Sequence, residues 1–559
     1  MLRFSKRIKL LSICCLFTFN GISQDYNFHK PLKIPLSIGA YFGDLRPNHF
    51  HMGIDYRTNG VEGLDLHAID DGYVSRVRVS PYGYGKVVYI NHPNGITSVY
   101  AHCSKFIGRL DSLVTAAKIK RQNNEIELYL TPNEIPLKKG EIFALSGNTG
   151  SSTGPHLHFE IRETATDTPM NPLLFGLGNK DFYKPTIRSV YVYCLSKEGY
   201  MIPNKFKTFG VSNGKLTVGN CISLPASYSL LYGNLGFGIS GFDQHSTGSC
   251  GLYENKIFSN AELIYQSKMD KVSFEETRYI NTYKDFSKYS QGEKIHKLFK
   301  NPMNKISSMH IESKKLIKLF PCDSIPITIE TTDAFQNKEK ISFGLKINEG
   351  ENDTTNNFFP ETLFWLPNKS YSINLQHTEI VIDTFSLYEP TPIKLTESSD
   401  KITIGIETQA IHKPIIIGFT KSFTGNIFNK NYVIGYLNKG KYEYCESFIE
   451  GNKLKTKALK FGTYKIICDT IKPIIKTSSY SNYGFITKSK VLNWTISDND
   501  SKIANYNIYI NDEWVPANYE YKNKLLFCHI PIPFKEISCI KVIVSDVCGN
   551  INVFETNIP

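Results

Sequence analysis

No CxxC pair occurs among the 12 cysteines of this 559-residue chain, which argues against a cysteine zinc site. No HExxH segment occurs either, so the helical zincin arrangement is excluded. Beyond the first two dozen residues there is no long apolar run, and a membrane helix needs about 20 such residues. Basic residues are in excess, with a formal net charge of +12, yet no basic run interleaves with aromatics as a nucleic-acid groove would require. Tryptophan is scarce at three residues, whereas Tyr (33) and Phe (35) are plentiful and favour strands.

Charged residues make up 21% and hydrophobic ones 41%, a balance that supports folded cores. Length alone suggests about three to five domains. The first residues read as a secretory leader at 1–23. Arg3, Lys6, Arg7 and Lys9 form a basic start, "LLSICCLFTF" a short apolar run, and Gly21 and Ser23 the small residues of a cleavage site. Cys14 follows too short an apolar run to suit lipidation. The mature chain is expected to be exported, to periplasm or cell envelope or beyond the cell, with no membrane span after cleavage. Ten cysteines would remain, and in an oxidising compartment some are expected to pair.

Eight of the 14 histidines fall before residue 160. Four of them lie in "HFHMGIDYRT" (49–58) and "GPHLHFEIR" (154–162). On a strand, residues two apart share a face. Leu157, Phe159 and Ile161 would then enter a core, while His156, His158, Glu160 and Arg162 face the other way. Glu160 reads as a solvated or paired carboxylate, the alternative being a carboxylate that supports a ligand from behind. A flat strand would set His51 and Asp55 about 13 Å apart, too far to share an ion. A bend at Gly53 would bring them together. Histidine with aspartate suits Zn²⁺, held by three protein ligands with one open position. The pool is His49, His51, Asp55, His102, His156 and His158, and spacing does not choose among them. Arg46 and Asn48 are placed along a groove, Cys103 in the core, and His67 and His92 on the surface.

H-x-x-x-D at His51/Asp55, Tyr-Ala-His at 100–102 and "STGPHLHFE" at 152–160 resemble the lysostaphin-type (LytM-type) zinc metallopeptidases, which cleave peptidoglycan peptides. The likeness spans residues 35–175, and includes "AIDDGYVSRV", "YGYGKVVYINHPNGITSVYAH" and a closing "MNPLLF". It implies that His51, Asp55 and His158 bind one Zn²⁺ and that His102 and His156 are the catalytic pair, leaving His49 a neighbour. The departure is an insertion at 107–138, expected to be partly helical around "DSLVTAAKIKRQ". The implied activity is a zinc endopeptidase acting on peptidoglycan cross-links or stems. The alternatives are a non-catalytic activator or scaffold for other wall hydrolases, and a dipeptidase or carboxypeptidase.

The rest of the chain is strand-like. "DFYKPTI" (181–187) and "DTIKPII" (469–475) share D-x-x-K-P-x-I, and "TTDAFQN" (331–337) and "VSDVCGN" (544–550) each set Asn four residues after Asp. These suggest repeated sandwich modules with Asp-anchored turns. The expected organisation is mainly β: an antiparallel peptidase domain at 30–180, a β-sandwich at 181–346, a β-rich domain at 347–467 opening on a polar linker, and an immunoglobulin-like sandwich at 468–559 containing Trp494 and Trp514. The later modules are expected to position the enzyme or to bind envelope proteins. The isolated histidines after residue 180 read as ordinary.

Overall fold

The computed structural model describes residues 26–229, 234–245, 248–350, 359–360, 362–420, 431–477, 491–530 and 537–557. The expected leader lies outside the described residues, as do 351–358 of the polar linker. Twelve strands build the first part: β1 (Ile38–Ala40), β2 (Ile54–Arg57), β3 (Asp65–His67), β4 (Gly72–Val79), β5 (Lys86–Asn91), β6 (Ile96–Ala101), β7 (Lys105–Phe106), β8 (Ile126–Tyr129), β9 (Pro136–Leu137), β10 (Ile142–Leu145), β11 (His156–Glu163) and β12 (Thr168–Met170). Nine form one antiparallel sheet with the central order β1-β2-β11-β6-β5-β4-β8; β3, β10 and β7 form a small second sheet.

The period-2 pattern explains which face is covered. Leu157, Phe159 and Ile161 of β11 are wholly buried together with Ile54, Tyr56 and Tyr100. Burying each such side chain contributes about 1.5–3 kcal/mol. The small sheet and helix α1 (Gly108–Arg121) close this core through Phe106, Ala144, Leu110 and Val114. The helix falls inside the insertion, as its residues suggest. It ends where Gln122 turns left-handed, with Lys118, Lys120 and Arg121 in its last turn, where cations meet the negative end of the helix dipole.

Among the described residues, three of the further cores each lie between two sheets. Seven- and six-stranded sheets enclose Val190, Val192, Ile239, Ile327 and Leu345. Two five-stranded sheets enclose Trp365, Ile380, Ile402 and Ile417. Two four-stranded sheets enclose Trp494, Ile496, Ile508 and Val542. The Asp-anchored turns recur in detail. Asn337 Nδ2 donates to Asp333 Oδ2 at 2.7 Å and to the Asp181 carbonyl at 3.1 Å. Asn550 Nδ2 donates to Asp546 Oδ2 at 2.8 Å and to the Asp469 carbonyl at 3.1 Å. The repeated sequence therefore encodes one lock, used twice, that ties the entry of a module to a late turn. All ten described cysteines are unpaired.

Candidate active site

Strand register assembles the site. In the antiparallel pairing of β11 with β2, His158 lies opposite Asp55. On its other side β11 pairs with β6, His158 opposite Ala101, and His102 follows at the end of β6. The segment before β2 bends at Gly53 as expected. A Cβ there would lie 2.3 Å from the Phe159 carbonyl oxygen, so only glycine lets the chain cross β11 this closely. The bend folds His51 back over Asp55.

His51 Nε2, Asp55 Oδ1 and His158 Nδ1 converge. The separations are 3.0 Å from His51 to Asp55, 2.9 Å from His158 to Asp55, and 3.0 Å between the two ring nitrogens. Three potential ligand atoms so placed form a group able to hold one metal ion. The far nitrogen of each ring is already committed. His51 Nδ1 donates to the Tyr41 carbonyl at 2.8 Å, and His158 Nε2 to Glu160 Oε1 at 2.8 Å. Such partners fix the tautomer that leaves a lone pair facing the ion. Two imidazoles and a carboxylate are the donor set zinc prefers, so the residues fit the metal.

His102 and His156 stand beside this group, their ring centres 4.8 Å apart. His156 Nε2 is 3.6 Å from Asp55 Oδ1. His102 Nδ1 donates to the Thr149 carbonyl at 2.8 Å and His156 Nδ1 to the Gly154 carbonyl at 2.8 Å, so each ring keeps Nε2 as its free nitrogen. His102 adopts φ +61°, a left-handed conformation uncommon for residues with a Cβ but more accessible to Asn, Asp and His. Burial, reinforced by His158 and His156, pushes the His102 imidazolium down to about 3. Burial also lowers His156. Both rings are neutral at neutral pH and can accept a proton.

Glu160 is not solvated. It is fully enclosed, and it accepts from Arg162 Nε at 2.6 Å as well as from His158. The Tyr84 hydroxyl donates to it too. Arg46 Nη2 lies 3.5 Å from Asp55 Oδ2, and Asn48 accepts from Asn281 Nδ2 at 3.1 Å. Cys103 is buried, as expected. His67 and His92 are buried too, against expectation. His67 Nδ1 donates to the Gly140 carbonyl, and His92 bonds both the Asp71 carbonyl and Ser98 Oγ, so hydrogen bonds offset the cost of enclosing them.

Two lysines from later modules grip the loops of the site, and nothing local in the sequence marks them. Lys284 Nζ donates to the Arg46 and Pro47 carbonyls, the latter at 2.6 Å, just before the metal motif. Lys522 Nζ donates to the Asn148 and Ser152 carbonyls, both at 2.6 Å. Those two residues bracket Thr149, which holds His102, and Ser152 Oγ also lies 3.1 Å from His156 Nδ1.

Residues 49–119, which include His51, Asp55 and His102, match the model of peptidase family M23. The chain carries an M23 peptidase domain. An uncharacterized metalloprotease of Haemophilus influenzae is 36% identical over 135 residues, 24% of this chain and 22% of its own length. The DD-carboxypeptidase/endopeptidase Mpg of Neisseria meningitidis is 33% identical over 127 residues, 23% of each chain. This chain thus spans under a quarter of the length of either relative. Among solved structures, the catalytic domain of the prophage-encoded M23 protein EnpA from Enterococcus faecalis is 26% identical, covering 24% of this chain and 87% of its own, with a TM-score of 0.18.

Proposed function

We propose that this chain is an exported zinc metallo-endopeptidase that hydrolyses peptide bonds in peptidoglycan cross-links or stems. The observation that carries the reading is the convergence of His51 Nε2, Asp55 Oδ1 and His158 Nδ1 within 3.0 Å of one another, with two neutral histidines alongside. His51, Asp55 and His158 would hold the metal. When bound, zinc lowers the pKa of a water ligand to near neutrality and polarises the scissile carbonyl. Every remaining task falls to side chains. Nε2 of His102 or His156 takes up the proton of the attacking water and later returns it to the leaving amine. Once it carries that proton, the same Nε2–H donates a hydrogen bond to the oxyanion as charge develops there. The Thr149 and Gly154 carbonyls hold both rings in the required tautomer. Arg46 lies 37% exposed beside Asp55, where it can meet a substrate carboxylate.

Relatives named as peptidoglycan DD-endopeptidases of Vibrio cholerae support a wall peptide as substrate and an envelope location. The peptidase is taken as residues 30–180, followed by modules at 181–346, 347–467 and 468–559, the last immunoglobulin-like. They would position the enzyme or bind envelope proteins.

The test is digestion of purified sacculi by residues 24–559 beside Asp55→Ala, with soluble products identified by mass. Cleaved cross-links released by the wild type alone, and lost on chelation, are the expected result. Stoichiometric zinc in a wild type that releases nothing would instead make the chain a regulator of other hydrolases. His102→Ala and His156→Ala should each retain one zinc while losing about 10²–10⁴-fold in rate.

A further inference from the structure

Among the described residues, two groups of acidic and thiol side chains outside the peptidase site have ligand atoms close enough to share an ion: Asp181, Asp243 and Asp333, and Asp469, Asp546 and Cys548. The first is the purely oxygen-based set. Its members come from three places in the chain. Asp181 opens the first D-x-x-K-P-x-I segment, Asp243 lies on the strand Asn234–His245, and Asp333 anchors the turn after Ser324–Thr332. All three are buried, at 7%, 1% and 1% exposure.

Three carboxylates enclosed together repel one another and lose hydration, and such groups normally find a cationic partner. Among the described residues, none of the three forms an ion pair with Lys or Arg. Hydrogen bonds account for part of the set only. Asp333 is satisfied by the amides of Phe335 and Asn337, at 2.8 Å each, and by the Asn337 side chain. Asp181 Oδ1 accepts from the Tyr183 amide at 3.0 Å. Asp181 Oδ2 and both oxygens of Asp243 have no hydrogen bond of standard geometry, although the Tyr41 hydroxyl and the Gln244 backbone lie close to Asp243. An enclosed carboxylate with no hydrogen bond of standard geometry at either oxygen, facing two others, is an observation separate from the clustering itself.

We propose that Asp181, Asp243 and Asp333 bind a hard divalent cation of the calcium class at the junction between the peptidase domain and the module that follows it. Carboxylate oxygens in a set of this charge are what Ca²⁺ takes, often with carbonyls and waters completing six to eight ligands. Zinc, by contrast, prefers the nitrogen-bearing group at His51. Without the cation, burial and the other two carboxylates push the Asp243 carboxyl up to about 8, which is the strain that the ion relieves. The location gives the ion a consequence. Tyr41 sits against Asp243, and the Tyr41 carbonyl orients His51. Filling the junction would stiffen the segment that presents a zinc ligand. The second group repeats the Asp–Asn lock but puts the Cys548 thiol in place of a third carboxylate, a poorer partner for a hard ion.

The experiment uses residues 24–559 stripped of metal, reloaded with one equivalent of zinc and titrated with CaCl₂ by calorimetry and thermal unfolding, with MgCl₂ as the comparison. One calcium per chain is expected, with a rise of several degrees in the unfolding midpoint. Asp243→Asn and Asp181→Asn should each abolish both signals, whereas Asp55→Ala, which removes only a proposed zinc ligand, should keep them. A wild type without calcium-dependent heat or midpoint shift would overturn the proposal. So would a response that survives Asp243→Asn but is lost in Asp546→Asn, since the ion would then belong to the last module. Because Asp55→Ala is read separately, failure of the zinc reading leaves this result standing.

Discussion

The Glu160 carboxylate binds His158 and Arg162 at once from a fully enclosed position. Burial alone would raise its pKa; the Arg162 guanidinium and the His158 ring outweigh that and bring it down from 4.5 to about 2. A group depressed in the folded state contributes stability that is complete above its ordinary value and lost as pH falls through the folded one. In metal-free protein, Glu160→Gln should therefore lower stability at pH 6 by about 3–5 kcal/mol, the usual cost of breaking a buried charged pair. Unfolding midpoints should show the gap narrowing between pH 4.5 and about 2. With metal present, the same variant frees the His158 ring to turn. Competition with a chromophoric chelator should report zinc affinity lower by about 10–100-fold. The period-2 pattern puts Glu160 on the histidine face, but a carboxylate on such a face can equally meet solvent. Its partner Tyr84 arrives from β5's approach, a contact with no local signal. The same limit applies to His67 and His92. A single histidine carries no mark of whether a carbonyl will reach it.

At the scale of the element, the decisive feature is how β2 meets β11. The alternation in "HLHFEIR" was legible because each residue on one face is apolar, and the structure buries Leu157, Phe159 and Ile161 as that pattern requires. The bend at Gly53 was legible for a different reason: a straight strand separates His51 from Asp55 too far to serve one ion. What the sequence does not express is the register that sets Asp55 opposite His158, because pairing between strands 100 residues apart depends on the whole sheet. Gly53→Ala tests the crossing. Its Cβ would meet the Phe159 oxygen at 2.3 Å and Glu160 Cγ at 2.8 Å. Pushing the strands apart should cost about 1–3 kcal/mol, read as a lower denaturant midpoint, and should weaken zinc binding in the same sample.

Across the whole molecule, the M23 domain does not stand apart. Lys522, in the last module, donates to the Asn148 and Ser152 carbonyls, which flank the Thr149 carbonyl that holds His102. Lys522→Met keeps an unbranched side chain one atom shorter and removes its donors. It should leave zinc content unchanged and reduce kcat by up to about 10²-fold, the scale expected when catalytic groups drift by an ångström. Steady-state assays on a soluble cross-linked peptide would separate that loss from any change in KM. The module cores were legible as runs of alternating strands, and the repeated Asp–Asn turns as a repeat. Their docking was not, because Lys522 looks like any solvated lysine until the fold brings Asn148 within reach.

Within the segment 107–138, just after helix α1, Asn124 is buried against the last module. Its Nδ2 donates to the Tyr506 carbonyl at 2.9 Å and its Oδ1 accepts from the Ala517 amide at 2.7 Å. An asparagine side chain offers the same donor and acceptor as a peptide group, so Asn124 bridges the two sheets of the last module, standing in for backbone at a strand of each. Mimicry of this kind works like a keyed plug. Aspartate would turn a lone pair towards the Tyr506 carbonyl, leucine would strand both strand groups, and a foreign module lacking that carbonyl–amide pair would find no socket on this peptidase.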